Sequence, residues 1–298
     1  MAKFNLEGLG IALVTPFKAD KSIDFGALGR LVDFQIEAGA DFLVVLGTTG
    51  ETPTLSPDEQ LQVRNFIIQH NAGRVPLVLG FGGNNTMEIC RRLGAENFDG
   101  FSAILSVVPF YNKPSQEGIF RHYSEIATAS PLPIILYNVP GRTGVNMTVE
   151  TTLRLAHAHK NIIGIKEASG NFMQIEEIIK NKPRHFNLVS GDDGITYPLM
   201  TLGATGVISV IGNAFPKEFG TMVRKCLDGD FKAALPLHFQ FQELFNLLFV
   251  DGNPAGVKCT LNALGMIENE LRLPLVPTRL STNEKIHAIC EVLRNLND

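Results

Sequence analysis

Residues 161–171 read NIIGIKEASGN. Ile162, Ile163 and Ile165 make a short β-branched apolar run with Gly164 inside it, the pattern of a strand buried on both faces. Lys166 stands at its C-terminal end, where burial is expected to be greatest. Glu167, Ala168, Ser169 and Gly170 form a turn. Asn171 and Gln174 have the spacing of a helix N-cap and its third-residue partner. Two readings of Lys166 are open. It is either a surface lysine just beyond a strand or an amine held for Schiff-base chemistry. An ordinary lysine amine is almost wholly protonated at neutral pH, and burial disfavours that charge. The strand alone does not decide between them.

Working outward, apolar runs of the same kind occur at 10–14, 42–46, 76–80, 101–107, 133–136, 186–189 and 206–209. Amphipathic segments with cap signals lie between them. Asp24 opens the first, and Ser56-Pro57-Asp58-Glu59 is a capping box with Pro at N1. Asn85 with Glu88 opens the third. Later helices are expected over 116–129, 148–157, 171–180, 195–202 and 216–227. Strands alternating with helices eight times predict an α/β fold, a (β/α)8 TIM barrel, over residues 1–229. A doubly wound open sheet is the alternative. From 230 to 298 strand signals stop, and helices over 231–249, 254–264 and 281–296 predict a helical C-terminal extension. Ser281-Thr282-Asn283-Glu284 is read as the box that opens the last helix.

Composition narrows the function classes. Of 298 residues, 45% are apolar, ample for one large core, and no run approaches the ~18 residues of a membrane span. The start MAKFNLEGLGIALVTPF lacks a basic, then long apolar, signal pattern. Cys90, Cys226, Cys259 and Cys290 are scattered without a CxxC pair, which predicts a reduced cytoplasmic protein. A net charge of −4 gives no reason to expect nucleic acid or an anionic membrane as partner. Small molecules remain.

In a barrel, chemistry is expected where the strands end. Gly47-Thr48-Thr49-Gly50-Glu51 follows the second strand, Val108-Pro109-Phe110-Tyr111-Asn112 the fourth, and Tyr137-Asn138-Val139-Pro140-Gly141-Arg142-Thr143-Gly144 the fifth. Ser190-Gly191-Asp192-Asp193 closes the seventh. The Thr48–Thr49 turn is either an ordinary βα turn or a backbone cradle for a carboxylate. Tyr137 is either a core tyrosine or a proton shuttle beside Lys166. Arg142 is either a surface arginine or a planar fork for a substrate carboxylate. HExxH, P-loop, GxSxG and full GxGxxG patterns are missing from the sequence. His157 and His159 read as surface. Asp192-Asp193 has no His or Glu at metal-ligand spacing, so no metal and no cofactor are expected.

These motifs together resemble the dihydrodipicolinate synthase family, within the pyruvate-dependent class I lyases that include N-acetylneuraminate lyase. The resemblance runs from GIALVTPF at 10–17 through GTTGE, YNVPGRTG, GIKEASG, SGDD and GVISV to NPAGVKCTLNALG at 253–265. It implies the 4-hydroxy-tetrahydrodipicolinate synthase reaction of lysine biosynthesis, in which pyruvate condenses with L-aspartate 4-semialdehyde and no cofactor is needed. It implies that Lys166 forms the Schiff base. It further implies a proton relay of Tyr137, Thr49 and Tyr111, with Tyr111 reaching a neighbouring subunit's site. Thr48 and Thr49 would hold the pyruvate carboxylate and Arg142 that of the semialdehyde, while Gly191 and the Ile208 carbonyl shape the pocket. A homotetramer built from dimers is also implied. Thr48 and Arg142 favour the synthase over a sugar-acid lyase of the same family. A non-catalytic metabolite-binding barrel is a third reading, and a relay of hydroxyls speaks against it. Lysine-inhibited members carry an interface site to which Thr52, Asn84 and Glu88 correspond. Gln60 and Phe110 stand where a histidine and a tyrosine often occur there, which predicts weak or absent lysine inhibition.

Overall fold

In the computed structural model, residues 4–295 are described. Among them, eight parallel strands close into a barrel in sequence order: β1 (Gly8–Ala12), β2 (Phe42–Val45), β3 (Leu77–Gly80), β4 (Ala103–Val107), β5 (Ile134–Asn138), β6 (Ile162–Glu167), β7 (Asn187–Ser190) and β8 (Gly206–Ser209). Closure is made by β1 pairing with β8, Gly10 facing Ile208. The open-sheet alternative is thereby excluded.

Strand alternation sorts the side chains into two cores. Phe42, Val44, Val78, Ala103, Leu105, Ile135, Val189 and Ile208 fill the barrel, while Leu43, Val45, Ile104 and Ile165 pack outward against the helices. Gly10 makes room inside, since a Cβ there would come within 2.2 Å of the Phe42 ring. The expected caps are present. Asp24, Asn85, Thr148 and Asn171 each accept from a first-turn amide, and the Ser56/Glu59 capping box is complete.

The C-terminal segment departs from expectation at two points. The stretch read as one helix over 231–249 is two, Phe231–Gln240 and Gln242–Val250, broken at Phe241. The last helix, Leu280–Asn295, begins before Ser281, so Ser281 lies inside it and is not its cap. Asp251 instead accepts from the Arg279 amide ahead of the helix. The expected last residue of that helix, Leu296, lies outside the described residues, as do 1–3 and 297–298. No helix among the described residues is long and apolar enough to cross a membrane.

Candidate active site

Lys166 lies within β6 and points into the barrel, because its neighbour Ile165 packs outward. Its side chain is 5% exposed. A register irregularity between Ile134 and Ile135 places Tyr137 of β5 directly opposite it. The Lys166 Nζ lies 4.5 Å from the centre of the Tyr137 ring, an apolar and electron-rich surface for the amine. Gly191 borders the same side chain. A Cβ at that position would lie 3.0 Å from Lys166 Cε and 2.7 Å from Ala168 Cβ.

The residue after the lysine points the other way. Glu167 is buried outside the barrel wall and accepts from Asn138 Nδ2 at 3.1 Å, the Ser169 amide at 2.8 Å and Gln174 Nε2 at 3.3 Å. Burial pushes its carboxyl above the usual range, partly offset by these donors. This network anchors the strand end that carries Lys166. The period-two pattern could have located Glu167 as an outward residue, but its partners come from 29 and 7 positions away.

The Thr48–Gly50 stretch is a single 3-10 turn. Leu46, just before it, sits in the left-handed region at φ 56°, a conformation costing about 1–2 kcal/mol for a side-chain-bearing residue. That bend turns the chain off β2 so that the first amides of the turn have no partner within it. Thr49 is buried, and its Oγ1 accepts from Asn253 Nδ2 at 3.0 Å. Arg142 belongs to the one-turn helix Pro140–Thr143 and donates from Nη2 to the Asn253 carbonyl at 3.3 Å. Asn253 escaped the sequence reading as a site residue. Its motif was visible, but nothing in it indicates a contact 204 residues away.

Thr48, Tyr137 and Arg142 line one cavity of about 530 Å³ at the C-terminal mouth, which also reaches Thr52 and Gln60. Ile208 is fully buried on β8, its side chain in the interior core. Tyr111 is not brought in. It is 88% exposed at φ 74°, with its amide bonded to the Thr143 carbonyl. Asn84 donates to the Phe110 carbonyl, and Glu88 is held by Arg91. Gln60 spends its amide on the Thr52 and Leu55 carbonyls of its own chain. Asp193 is buried and accepts from the Val210 and Ile211 amides, bracing the loop after β8.

Fold and mouth together define a (β/α)8-barrel protein with a buried lysine at the place where such barrels carry out chemistry. Over residues 5–293 the chain matches the model of the Dihydrodipicolinate synthetase family. It is 62% identical to the 4-hydroxy-tetrahydrodipicolinate synthase of Parabacteroides distasonis, covering 100% of this chain and 99% of that one. The dihydrodipicolinate synthase of Aquifex aeolicus superposes with a TM-score of 0.92 at 41% identity, over 98% of both chains. The chloride-inhibited enzyme of Acinetobacter baumannii, solved in complex with pyruvate, gives 0.93 at 39% identity over 96% of this chain and 98% of that one. The chain belongs to the Dihydrodipicolinate synthetase family.

Proposed function

We propose that this chain is a 4-hydroxy-tetrahydrodipicolinate synthase, a lyase-class enzyme that joins pyruvate to L-aspartate 4-semialdehyde through a Schiff base on Lys166. The observation that carries the assignment of the lysine is its amine, buried against the ring of Tyr137, which itself lines one cavity with Thr48 and Arg142. The neutral amine attacks the pyruvate C2 carbonyl, and water leaves to give an imine. Loss of a C3 proton gives the enamine, whose carbon adds to the aldehyde of the second substrate. The semialdehyde's own amine then attacks C2, the ring closes, and Lys166 departs as the free amine.

Each step moves a proton, which is the work assigned to Tyr137, Thr49 and Tyr111. The amides of the Thr48–Thr49 turn hold the pyruvate carboxylate, and Arg142 holds that of the semialdehyde. Gly191 and the Ile208 carbonyl bound the space around the imine. The exposure of Tyr111 supports a dimer in which it enters the partner's mouth, and two such dimers would make the tetramer. The barrel unit is assigned to residues 1–229 and the C-terminal extension to 230–298, an assignment supported by Asn253 of the extension reaching Thr49 at the mouth. Four free cysteines suit a reducing cytoplasm.

The test is turnover of pyruvate with aspartate semialdehyde, beside N-acetylmannosamine as acceptor, for wild type and Lys166→Ala. Borohydride reduction with pyruvate is expected to add its mass to wild type alone. Turnover only with the sugar would overturn the assignment of the acceptor. A pyruvate adduct on Lys166→Ala would overturn that of the lysine.

A further inference from the structure

Asn253 touches both ends of the mouth. Its side chain reaches Thr49 Oγ1, and its backbone carbonyl receives Arg142. It stands at the head of the helix Ala255–Ala263. From that helix Lys258 also reaches the Thr49 turn, pairing with Glu51 at 2.5 Å. Two tethers, one to Thr49 and one to Glu51, therefore fix the turn against the C-terminal segment.

We propose that Asn253 is a positioning residue that sets the direction in which the Thr49 hydroxyl donates its proton. A threonine hydroxyl has one proton and can accept two hydrogen bonds, whereas an amide NH2 only donates. With Asn253 Nδ2 donating to Oγ1, the Thr49 proton has no acceptor on that side and is left to point elsewhere, into the mouth. A reversed amide would capture the proton with its oxygen and leave an NH2 group without a partner. Among the described residues nothing donates to the buried Asn253 Oδ1. The orientation present thus leaves a carbonyl oxygen unpaired, which is better tolerated in proteins than an orphaned N–H. The result is a hydroxyl with a fixed polarity, as a relay requires. This inference rests on the reading of Thr49 as a relay group.

The experiment compares Asn253→Asp, Asn253→Ala and Thr49→Val with wild type. It measures kcat and both KM values from pH 6 to 9, with thermal melts and borohydride trapping of pyruvate as checks that the site is built. An ionised carboxylate at position 253 is acceptor-only and nearly isosteric, so it draws the Thr49 proton away from the mouth. Asn253→Asp is expected to lose about 100-fold in kcat at pH 8, within the range for a misdirected proton transfer, and to recover toward acid pH as that carboxyl regains a proton. Its KM values should also rise, because both substrates are anions. Asn253→Ala frees the hydroxyl without misdirecting it and should lose only about tenfold in kcat.

A kcat for Asn253→Asp within about threefold of wild type, or a larger loss in Asn253→Ala than in Asn253→Asp, would overturn the proposal. If the carboxylate variant does not fold, Asn253→Ala decides. Loss of kcat at unchanged KM for pyruvate sustains the proposal, and unchanged kcat defeats it. Thr49→Val separates the two levels. Wild-type kcat there defeats the relay reading itself, whereas its loss beside an active Asn253→Asp defeats only the role given to Asn253.

Discussion

Lys258 Nζ and Glu51 Oε1 meet at 2.5 Å with neither side chain exposed to solvent. The ammonium also donates to the Glu270 carbonyl at 2.8 Å and lies 4.1 Å from the centre of the Phe17 ring. Glu51 accepts from the Arg272 amide with its second oxygen. Burial pushes the Lys258 amine down to about 8 against the pull of Glu51. Removing one partner strands the other as a buried charge, which costs about 3–5 kcal/mol. Glu51→Gln and Lys258→Met are each expected to lower the melting temperature sharply. The double variant should be more stable than the sum of the two losses implies. Additive losses in a double-mutant cycle would show that the pair does not act as one unit.

Gly191→Ala should fold yet fail as an enzyme. The new methyl must displace Lys166 Cε and Ala168 Cβ, a local overpacking of about 1–3 kcal/mol. Because one displaced atom bears the amine proposed to form the imine, trapping of pyruvate should slow by at least about tenfold, in line with what misplacing a reacting group costs. A trapping rate equal to wild type would mean that the lysine has slack on this side.

Asp193 gives a pH signature. Burial raises its carboxyl to about 6 from 3.8, against the lowering effect of the Val210 and Ile211 amides. Between those two pH values the folded chain holds a proton that the unfolded chain has lost. Stability from this group is therefore fully present below about 4 and is lost as pH rises through about 6, by about 3 kcal/mol in all. Asp193→Asn keeps an acceptor for the two amides and removes the titration. Denaturant titrations should show the variant gaining on wild type as pH is raised from 4 to 7. A difference that stays flat would contradict the burial account.

How much of this could be read in advance depends on what sets each feature. Apolar runs and caps are local, so the barrel, the strand-end position of Lys166 and the Asn171 cap were legible. The pairing of Tyr137 with Lys166 was not fully so. Continuing the Ile134–Ile162 register without a break would put Tyr137 opposite Ile165, and only the irregularity after Ile134 brings it to the lysine. The break at Phe241 was hidden because the one helix breaker in that stretch, Pro236, lies inside the first helix and does not mark where it ends. Asn253 was hidden because its partner Thr49 is set by the closed fold, and the Asn138 bond to Glu167 likewise, although the Ser169 amide that also holds Glu167 is only two residues away.

Tyr111 offers a complementation test. Lys166→Ala and Tyr111→Phe chains are each expected to be impaired alone, with the relay loss about 100-fold or more. If Tyr111 serves the partner's mouth, mixed dimers contain one site with both groups intact, and mixing after mild dissociation should restore activity. No recovery in verified mixed dimers would place Tyr111 in its own chain's site.

Lysine should inhibit weakly. Gln60 has its amide turned onto the Thr52 and Leu55 carbonyls, Phe110 offers no hydroxyl, and Glu88 is already paired with Arg91. Each lost polar partner costs a ligand about 1 kcal/mol. An inhibition curve reaching half activity at submillimolar lysine would refute this.

The bond between Thr49 and Asn253 spans 204 positions of sequence. During synthesis, Lys166 leaves the ribosome well before the residue that finishes its surroundings. A nascent barrel therefore carries its amine without a completed mouth, and Thr49 and Arg142 gain their contacts to Asn253 only when the C-terminal segment has docked. A chain ended anywhere before residue 253 lacks both tethers of the Thr49 turn, the Asn253 bond to Thr49 and the Lys258 pair with Glu51, so the order of synthesis leaves this turn the last part of the mouth to be fixed.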